Sequence, residues 1–191
     1  MIHLSNPELP LQFVFEVENI FDNQELEFII TYFSKDKLKS AHLMSNQPYN
    51  EDVRKTDIAW LDPEDATEHI YHKLFSLVKH VNDQHYHWNL TWIETIQYGE
   101  YGVGGHYKLH TDAGLHGAEG DNRKLSFSIL LNDDYEGGEL EIPGSPGQPD
   151  IFKPKFNSAI FFPSYMPHCV KPVTQGIRKS LVGWVHGPNF V

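Results

Sequence analysis

The sequence is poor in cysteine, in long apolar runs and in basic residues, and each of these features marks a common class of protein. Among its 191 residues there is 1 cysteine, Cys169, which excludes an internal disulfide framework and a zinc site built from several cysteines. No stretch approaches the roughly 20 consecutive apolar residues of a transmembrane helix. The 15 basic residues are outnumbered by 26 acidic ones, and the resulting net charge of −11 disfavours binding to nucleic acid or to anionic lipid.

A secretory signal is also missing from the first residues. Pro7 and Pro10 interrupt this segment, and Glu8 places a charge where such a signal needs an apolar run. With the scarcity of cysteine, this pattern favours a cytoplasmic protein. We therefore expect neither a membrane nor a nucleic acid as partner, and no pattern in the sequence indicates the oligomeric state.

The composition is that of a globular chain of about one domain. Hydrophobic residues make up 40% and charged residues 21%, and the length is sufficient to bury a sizeable core. We expect a single domain over residues 1–191, with a helical support over about 1–89 and a β-rich part over about 90–191.

Two amphipathic helices are predicted in the N-terminal half. Asp22 and Glu25 have the spacing of a capping box, and an apolar stripe at helical spacing follows them: Leu26, Ile29, Ile30 and Phe33. The second helix is predicted to begin with Asp62 as its N-cap and Pro63 at its first position. Its buried stripe would comprise Ile70, Leu74, Leu77, Val78 and Val81.

Short β-rich runs recur from Leu90 onward, between clusters of Gly, Pro, Asn and Asp. They span residues 90–98, 106–110, 124–131, 139–142, 158–162, 169–173 and 178–185. This spacing is typical of a β-sandwich or barrel. The predicted fold class is α+β, with a jelly-roll core that the two helices buttress.

Three residues offer the ligand types of a metal site. His110 and Asp112 are two apart on a predicted strand, so their side chains share a face, and His168 follows an apolar strand and a turn. Two histidines and one carboxylate form the facial triad of non-heme Fe(II) oxygenases. A zinc hydrolase uses the same ligand types, but the H-E-x-x-H helix that supplies its general base is absent.

Arg178 is a charged residue inside an otherwise apolar strand over residues 177–185. A buried guanidinium is strongly unfavourable unless an anion pairs with it. That anion is either a carboxylate of the protein or the carboxylate of a ligand, which the planar fork of an arginine grips with two hydrogen bonds.

Taken together, His110-x-Asp112, His168 and, ten residues later, Arg178 resemble the signature of 2-oxoglutarate- and Fe(II)-dependent dioxygenases, in particular the prolyl 4-hydroxylase superfamily. Residues 125–132 and 135–140 resemble the strand and the acidic Gly-Gly hairpin of that family. The resemblance covers about residues 98–188 and implies a double-stranded β-helix core.

The resemblance also implies roles for individual residues. Fe(II) would be bound by His110, Asp112 and His168, and the distal carboxylate of 2-oxoglutarate by Arg178. Further contacts to 2-oxoglutarate are expected from Tyr98, Tyr107 and Ser180, and contacts on the substrate side from Trp184, His186, Arg123 and Arg54. O2 is the second cosubstrate, and ascorbate is expected as the reductant.

The reaction implied is hydroxylation of a peptidyl proline, of the procollagen type, coupled to decarboxylation of 2-oxoglutarate to succinate and CO2. A lysyl or other side-chain hydroxylase of the same superfamily is the alternative, and a non-catalytic ligand-binding jelly-roll is a more remote one. The nucleic-acid demethylases of the superfamily carry a second arginine six residues after the first, where this sequence has Trp184. The charge of −11 favours a neutral or basic peptide, which residues 45–54 and 118–121 are predicted to enclose.

Overall fold

The structure is a computed structural model, and it describes residues 13–33, 38–40, 50–113, 121–144 and 150–190. The described helices are α1 (Asn23–Tyr32) and α2 (Glu68–Val81), and α2 continues into a π-helical turn (Asn82–Tyr86). The remaining regular structure is strand, so the chain has the predicted α+β class.

Fifteen strands are formed by the described residues, most of them in the C-terminal half. They are β1 (Phe15–Val17), β2 (Lys39–Ser40), β3 (Arg54–Lys55), β4 (Asp57–Leu61), β5 (Trp92–Ile93), β6 (Ile96–Tyr101), β7 (His106–His110), β8 (Asp121–Leu130), β9 (Glu136–Gly137), β10 (Leu140–Glu141), β11 (Ile151–Phe152), β12 (Ala159–Pro163), β13 (His168–Val170), β14 (Val173–Gln175) and β15 (Arg178–Pro188). The run predicted over residues 106–110 matches β7 at both ends.

The strands form two larger sheets, which we call the main sheet and the smaller sheet. The main sheet has the order β1-β12-β8-β15-β6-β4-β2, with β5 also paired to β15. The smaller sheet has the order β11-β10-β13-β7-β3, and β14 pairs separately with β9. All the pairings are antiparallel, and the N-terminal residues supply strands to both larger sheets in addition to the helices.

The core lies in layers on the two faces of the main sheet. On one face, apolar side chains of α1 and α2 pack against those of β8, β12 and β15, among them Ile29, Leu74, Phe127, Phe161 and Leu181. On the other face, residues of β12 share a second cluster with residues of β10 in the smaller sheet. The main sheet is therefore covered on both sides, and polar side chains in the layer between the sheets require specific partners.

Helix α1 begins as predicted, with one correction to its buried face. Asp22 accepts hydrogen bonds from the backbone of Gln24 and Glu25, and the Glu25 carboxylate accepts one from the backbone of Asp22, which completes the capping box. Leu26 and Phe33 are buried as expected, with Ile29. Ile30 was wrongly included in the stripe, since 45% of its surface is exposed.

Helix α2 begins later than the sequence pattern predicts. Its first residue is Glu68 and its N-cap is Thr67, whereas Asp62 was predicted as the cap. The buried Thr67 hydroxyl accepts a hydrogen bond from the Glu64 backbone and lies within hydrogen-bond distance of the Asp62 and Glu64 carbonyls. Residues 62–67 are thereby held as a separate turn, and the proline at position 63 lies outside the helix.

Two expectations fall on parts of the chain that the structure does not describe. Of the predicted entrance segments at 45–54 and 118–121, residues 45–49 and 118–120 lie outside the described residues, so their closure over a peptide stays a prediction. Among the residues that are described, no helix is both long enough and apolar enough to cross a membrane.

Gly183 lies where β15 must approach the core most closely. It pairs across the sheet with Phe127, and a Cβ atom built at Gly183 would lie 2.2 Å from the end of that ring. Because the Phe127 ring is fully buried, it has no free space into which to move.

We expect Gly183→Ala to lower the free energy of unfolding by about 1–3 kcal/mol through overpacking. The matched control is Gly102→Ala, because a Cβ at Gly102 meets nothing within 4 Å. Urea denaturation of both variants measures the difference. Equal stabilities would show that the Phe127 ring relocates at no cost.

Candidate metal centre

The pairing of β7 with β13 brings the three predicted metal ligands together. His110 ends β7, Asp112 follows two residues later, and His168 begins β13 directly opposite His110. Nε2 of His110 lies 3.6 Å from Oδ1 of Asp112, and Nε2 of His168 lies 3.4 Å from Oδ2. All three ligand atoms are within 4.8 Å of one another. Two imidazoles and one carboxylate at this spacing fit a divalent transition metal such as Fe(II).

Both imidazoles are oriented by their own backbone. Nδ1 of His110 lies 2.8 Å from the carbonyl oxygen of Lys108, and Nδ1 of His168 lies 3.1 Å from that of Met166. A carbonyl only accepts, so Nδ1 carries the proton in each ring, and the Nε2 lone pair points to the centre. Burial also lowers the pKa of His168, which favours the neutral form that binds metals.

The carboxylate of Asp112 is held by a chain of two serines. The Ser126 hydroxyl lies 2.8 Å from Oδ2 of Asp112 and 2.8 Å from the Ser164 hydroxyl. The backbone N–H groups of Asp112 and Ala113 both donate to the Ser164 carbonyl. Burial alone would raise the pKa of Asp112, but the close approach of His110 and His168 and the hydrogen bond from Ser126 lower it below its usual range. Asp112 is therefore an ionised ligand whose plane is fixed by Ser126.

Arg178 lies in the same layer with a guanidinium that no described carboxylate reaches. It is 2% exposed, and Nη1 donates to the Ser180 hydroxyl at 2.9 Å. Its Cζ lies 5.5 Å from the centre of the Tyr101 ring. At Gly138, a Cβ would lie 2.9 Å from Cδ of Arg178, so glycine leaves room for the arginine. Of the two partners that the sequence allowed, a protein carboxylate is thus absent among the described residues, and the site fits a ligand carboxylate.

Comparisons with known proteins agree with this geometry. Residues 96–186 match the family model of the 2OG-Fe(II) oxygenase superfamily. A PKHD-type hydroxylase of Gloeothece citriformis is 40% identical over 95 residues, which cover 49% of this chain and 43% of that relative. Over residues 96–186, the chain is therefore similar to members of the 2OG-Fe(II) oxygenase superfamily. The matched segment spans less than half of the relative's length.

Solved structures show the same fold at low sequence identity. A prolyl-4-hydroxylase of Pseudomonas putida superposes with a TM-score of 0.71 at 21% identity, over 93% of this chain and 94% of that one. A prolyl hydroxylase of Trichoplax adhaerens, solved with a fragment of hypoxia inducible factor, gives a TM-score of 0.74 at 19% identity, over 91% and 83%. The predicted double-stranded β-helix fold is thereby confirmed.

One expected contact to 2-oxoglutarate is contradicted by the register of the sheet. Tyr98 pairs with Leu181, and its ring stacks on Phe33 at 4.3 Å in the core under the helices. Its hydroxyl donates to Glu100. In antiparallel strands, opposed residues share a face, so Tyr98 lies on the side of the sheet away from Arg178. Tyr101 is the residue opposite Arg178.

Two residues near Arg178 and the ligands remain candidates for binding 2-oxoglutarate. Ser180 is fully buried and holds the guanidinium of Arg178. Tyr107 stacks on the ring of His110 with centroids 3.5 Å apart. Tyr135 was not among the expected residues, but its ring lies close to the Arg178 side chain, since a Cβ at Gly138 would lie 2.9 Å from Arg178 and 3.4 Å from Tyr135. Burial raises the pKa of Tyr135, and the charge of Arg178 acts in the opposite direction.

Three of the four expected substrate-side residues, Arg123, Trp184 and His186, form a cluster around the carboxylate of Glu94, which the sequence did not indicate. The fourth, Arg54, lies outside this cluster and contacts Gln97. Both oxygens of Glu94 accept hydrogen bonds from Arg123 at 2.6 Å, and His186 also donates to this carboxylate. The Arg123 guanidinium stacks on Trp184 at 4.0 Å. Burial would raise the pKa of Glu94, but these hydrogen bonds lower it below its usual range. Arg123 is therefore neutralised within the protein and held flat against Trp184.

Two buried polar atoms in this cluster lack a partner among the described residues. They are Nε1 of Trp184 and Nδ1 of His186. Trp184 pairs with Ser126 in the main sheet, so its side chain lies on the same face as the residue that holds Asp112. Unpaired buried atoms next to a metal centre are available to a bound substrate.

We expect Ser126→Ala to weaken metal binding by about 10- to 100-fold, the usual effect of removing a partner that orients a ligand. Calorimetric titration with Mn(II), in the absence of oxygen and substrate, measures this directly. Ser128→Ala is the matched control, since Ser128 lies two residues along on the same strand and face. Identical affinities of the two variants would mean that Ser126 does not orient Asp112.

Proposed function

We propose that the chain is an Fe(II)- and 2-oxoglutarate-dependent dioxygenase, folded as one domain, that hydroxylates a peptidyl proline. One observation carries most of the proposal: a His-Asp-His cluster lies in the same buried layer as an arginine that no described carboxylate neutralises. The three candidate ligands would bind iron, and Arg178 would bind the distal carboxylate of 2-oxoglutarate.

The residues of the chain bind and orient the reactants. His110, Asp112 and His168 would hold Fe(II), and Arg178, fixed by Ser180, would hold 2-oxoglutarate with Tyr107 and Tyr135 beside it. Iron bound there supplies oxygen activation, coupled to decarboxylation of 2-oxoglutarate to succinate and CO2 and to hydroxylation of a C–H bond. Buried apolar surroundings at His168 and Trp184 keep water away from the site. Ascorbate is proposed as the reductant that maintains the iron as Fe(II).

Proline is favoured over lysine by the charges around the site. Arg54 carries a buried guanidinium without a described carboxylate partner, and it would repel the cationic side chain of lysine. The Trp184 ring, backed by Arg123, presents an aromatic wall that suits a small apolar ring. Solved prolyl hydroxylases with the same fold support this substrate class.

The decisive experiment supplies Fe(II), 2-oxoglutarate, ascorbate and a panel of peptides that contain either proline or lysine, and measures succinate together with the mass of each peptide. We expect succinate and a peptide mass increase of one oxygen atom, located on proline. Asp112→Ala is the inactive control, because it removes the only carboxylate of the metal cluster. Hydroxylation of lysine peptides with no modified proline would overturn the substrate assignment and leave the dioxygenase chemistry in place.

We expect Arg178→Ala to raise the KM for 2-oxoglutarate by about 10- to 100-fold, since it removes a charge-assisted pair of hydrogen bonds. Lys179→Ala is the control, because Lys179 is the next residue on β15 and faces Glu100 on the other side of the sheet. The KM is measured from succinate formation. An unchanged KM for Arg178→Ala would show that 2-oxoglutarate binds elsewhere.

A further inference from the structure

Arg54 is a second buried guanidinium whose charge the protein leaves unpaired. The side chain is 8% exposed, and its hydrogen bond to the rest of the described protein runs from Nη2 to the Gln97 side-chain oxygen, at 2.6 Å. Its Nε is buried without a partner. Within the described ranges, no carboxylate lies within 4.0 Å of this guanidinium. An amide oxygen carries no net charge, so the positive charge of Arg54 stays uncompensated in a buried setting.

The other two arginines of the site are accounted for. Both oxygens of Glu94 neutralise Arg123. Arg178 has been assigned to the distal carboxylate of 2-oxoglutarate, and the other carboxylate of this cosubstrate belongs at the metal. Because 2-oxoglutarate has only two carboxylates, neither is left to pair with Arg54.

Arg54 lies at the edge between the two sheets, close to the metal ligands. Its backbone is part of β3 in the smaller sheet, and its side chain extends to Gln97 on β6 of the main sheet. Its Cζ lies 4.7 Å from the centre of the Tyr107 ring, which in turn stacks on His110. Gln97 pairs with Val182 on β15. Val182 is four residues from Arg178, a separation of about 13 Å along the strand. The Arg54 position is therefore separate from that of the distal 2-oxoglutarate carboxylate.

We propose that Arg54 binds a carboxylate of the substrate that is hydroxylated. This inference rests on the proposed function, because it assigns Arg178 to 2-oxoglutarate. The carboxylate comes either from a C-terminal residue or from an Asp or Glu side chain next to the modified residue. Nε and one Nη of an arginine form the fork that a carboxylate engages with two hydrogen bonds, and Nε of Arg54 is the unpaired atom. The substrate is thus recognised by a local positive charge in a protein whose net charge is −11.

The test compares pairs of peptides that differ only in one charge. One pair is Ac-Gly-Pro-Gly with a free C-terminus or a C-terminal amide, and a second pair is Ac-Gly-Pro-Glu-NH2 and Ac-Gly-Pro-Gln-NH2. A third pair, Ac-Gly-Ala-Gly as acid and amide, contains no proline. Binding is measured by calorimetry without oxygen, on the full chain loaded with Mn(II) and 2-oxoglutarate. We expect the acid to bind about 10-fold more tightly in the first or the second pair, which identifies the source of the carboxylate.

Arg54→Gln is expected to reduce this preference to less than about 2-fold. Lys55→Gln makes the same change of charge at the next residue, which is exposed, and is expected to keep the full preference. Arg54→Lys retains the charge and should keep part of the preference. This result would show that the loss in Arg54→Gln comes from the missing charge and not from misfolding. All three variants should bind 2-oxoglutarate as the wild-type protein does.

Three results would overturn the proposal. They are equal binding of acid and amide by the wild-type protein in every pair, an equal loss of acid and amide binding in Arg54→Gln, and a loss of 2-oxoglutarate affinity in that variant. The alanine pair separates this inference from the proposed prolyl hydroxylation. If no proline peptide is hydroxylated but the acid of any pair is preferred and Arg54→Gln removes the preference, the carboxylate site stands and the prolyl assignment fails.

Discussion

The antiparallel pairing of β7 with β13 is the constraint on which the site depends. It places His168 opposite His110, although the two residues are 58 positions apart in the chain. Asp112 is then positioned by hydrogen bonds from its own backbone and that of Ala113 to Ser164, just before β13. A slip of one residue in this register would turn one imidazole to the outer face of the smaller sheet. The register of this strand pair therefore also sets the geometry of the candidate metal ligands.

A second requirement is that the layer between the sheets keeps several charges away from water. Within the protein, Ser126 donates a hydrogen bond to the carboxylate of Asp112. Glu94 and Arg123 neutralise each other. Arg178 and Arg54 are not neutralised in this way, since their described partners are uncharged. The positive charge of this layer thus contrasts with the acidic chain as a whole. The net charge of −11 acts at long range and is screened by salt, whereas the two arginines act at contact distance. The acidic protein as a whole favours a basic peptide, whereas Arg54 requires a carboxylate. One substrate can carry both, as a net positive charge and a single carboxylate next to the modified residue.

The metal ligands and Arg178 were predictable from the sequence because each has a local signature. Spacing of two on a strand joins His110 and Asp112, and a charge in an apolar strand marks Arg178. Tyr98 was assigned to the wrong face because the register of β6 against β15 depends on residues far apart in the chain, such as Tyr98 and Leu181 at a separation of 83 positions. Glu94 was not predictable as the partner of Arg123, because the two residues are 29 positions apart and meet only through the sheet. The late start of α2 was missed because the Thr67 turn is stabilised by contacts that a capping pattern does not describe.

The hydrogen bonds at Nδ1 of the two ligand histidines have a consequence for how metal is acquired. Each ring is fixed by a carbonyl two residues earlier in its own chain segment, so its orientation is set by backbone that is already ordered. The imidazoles lose little rotamer freedom when an ion arrives, and metal loading is then separate from folding. A metal bound at this site is therefore expected to exchange without unfolding of the protein, so the occupancy of the site would follow the supply of iron in its surroundings.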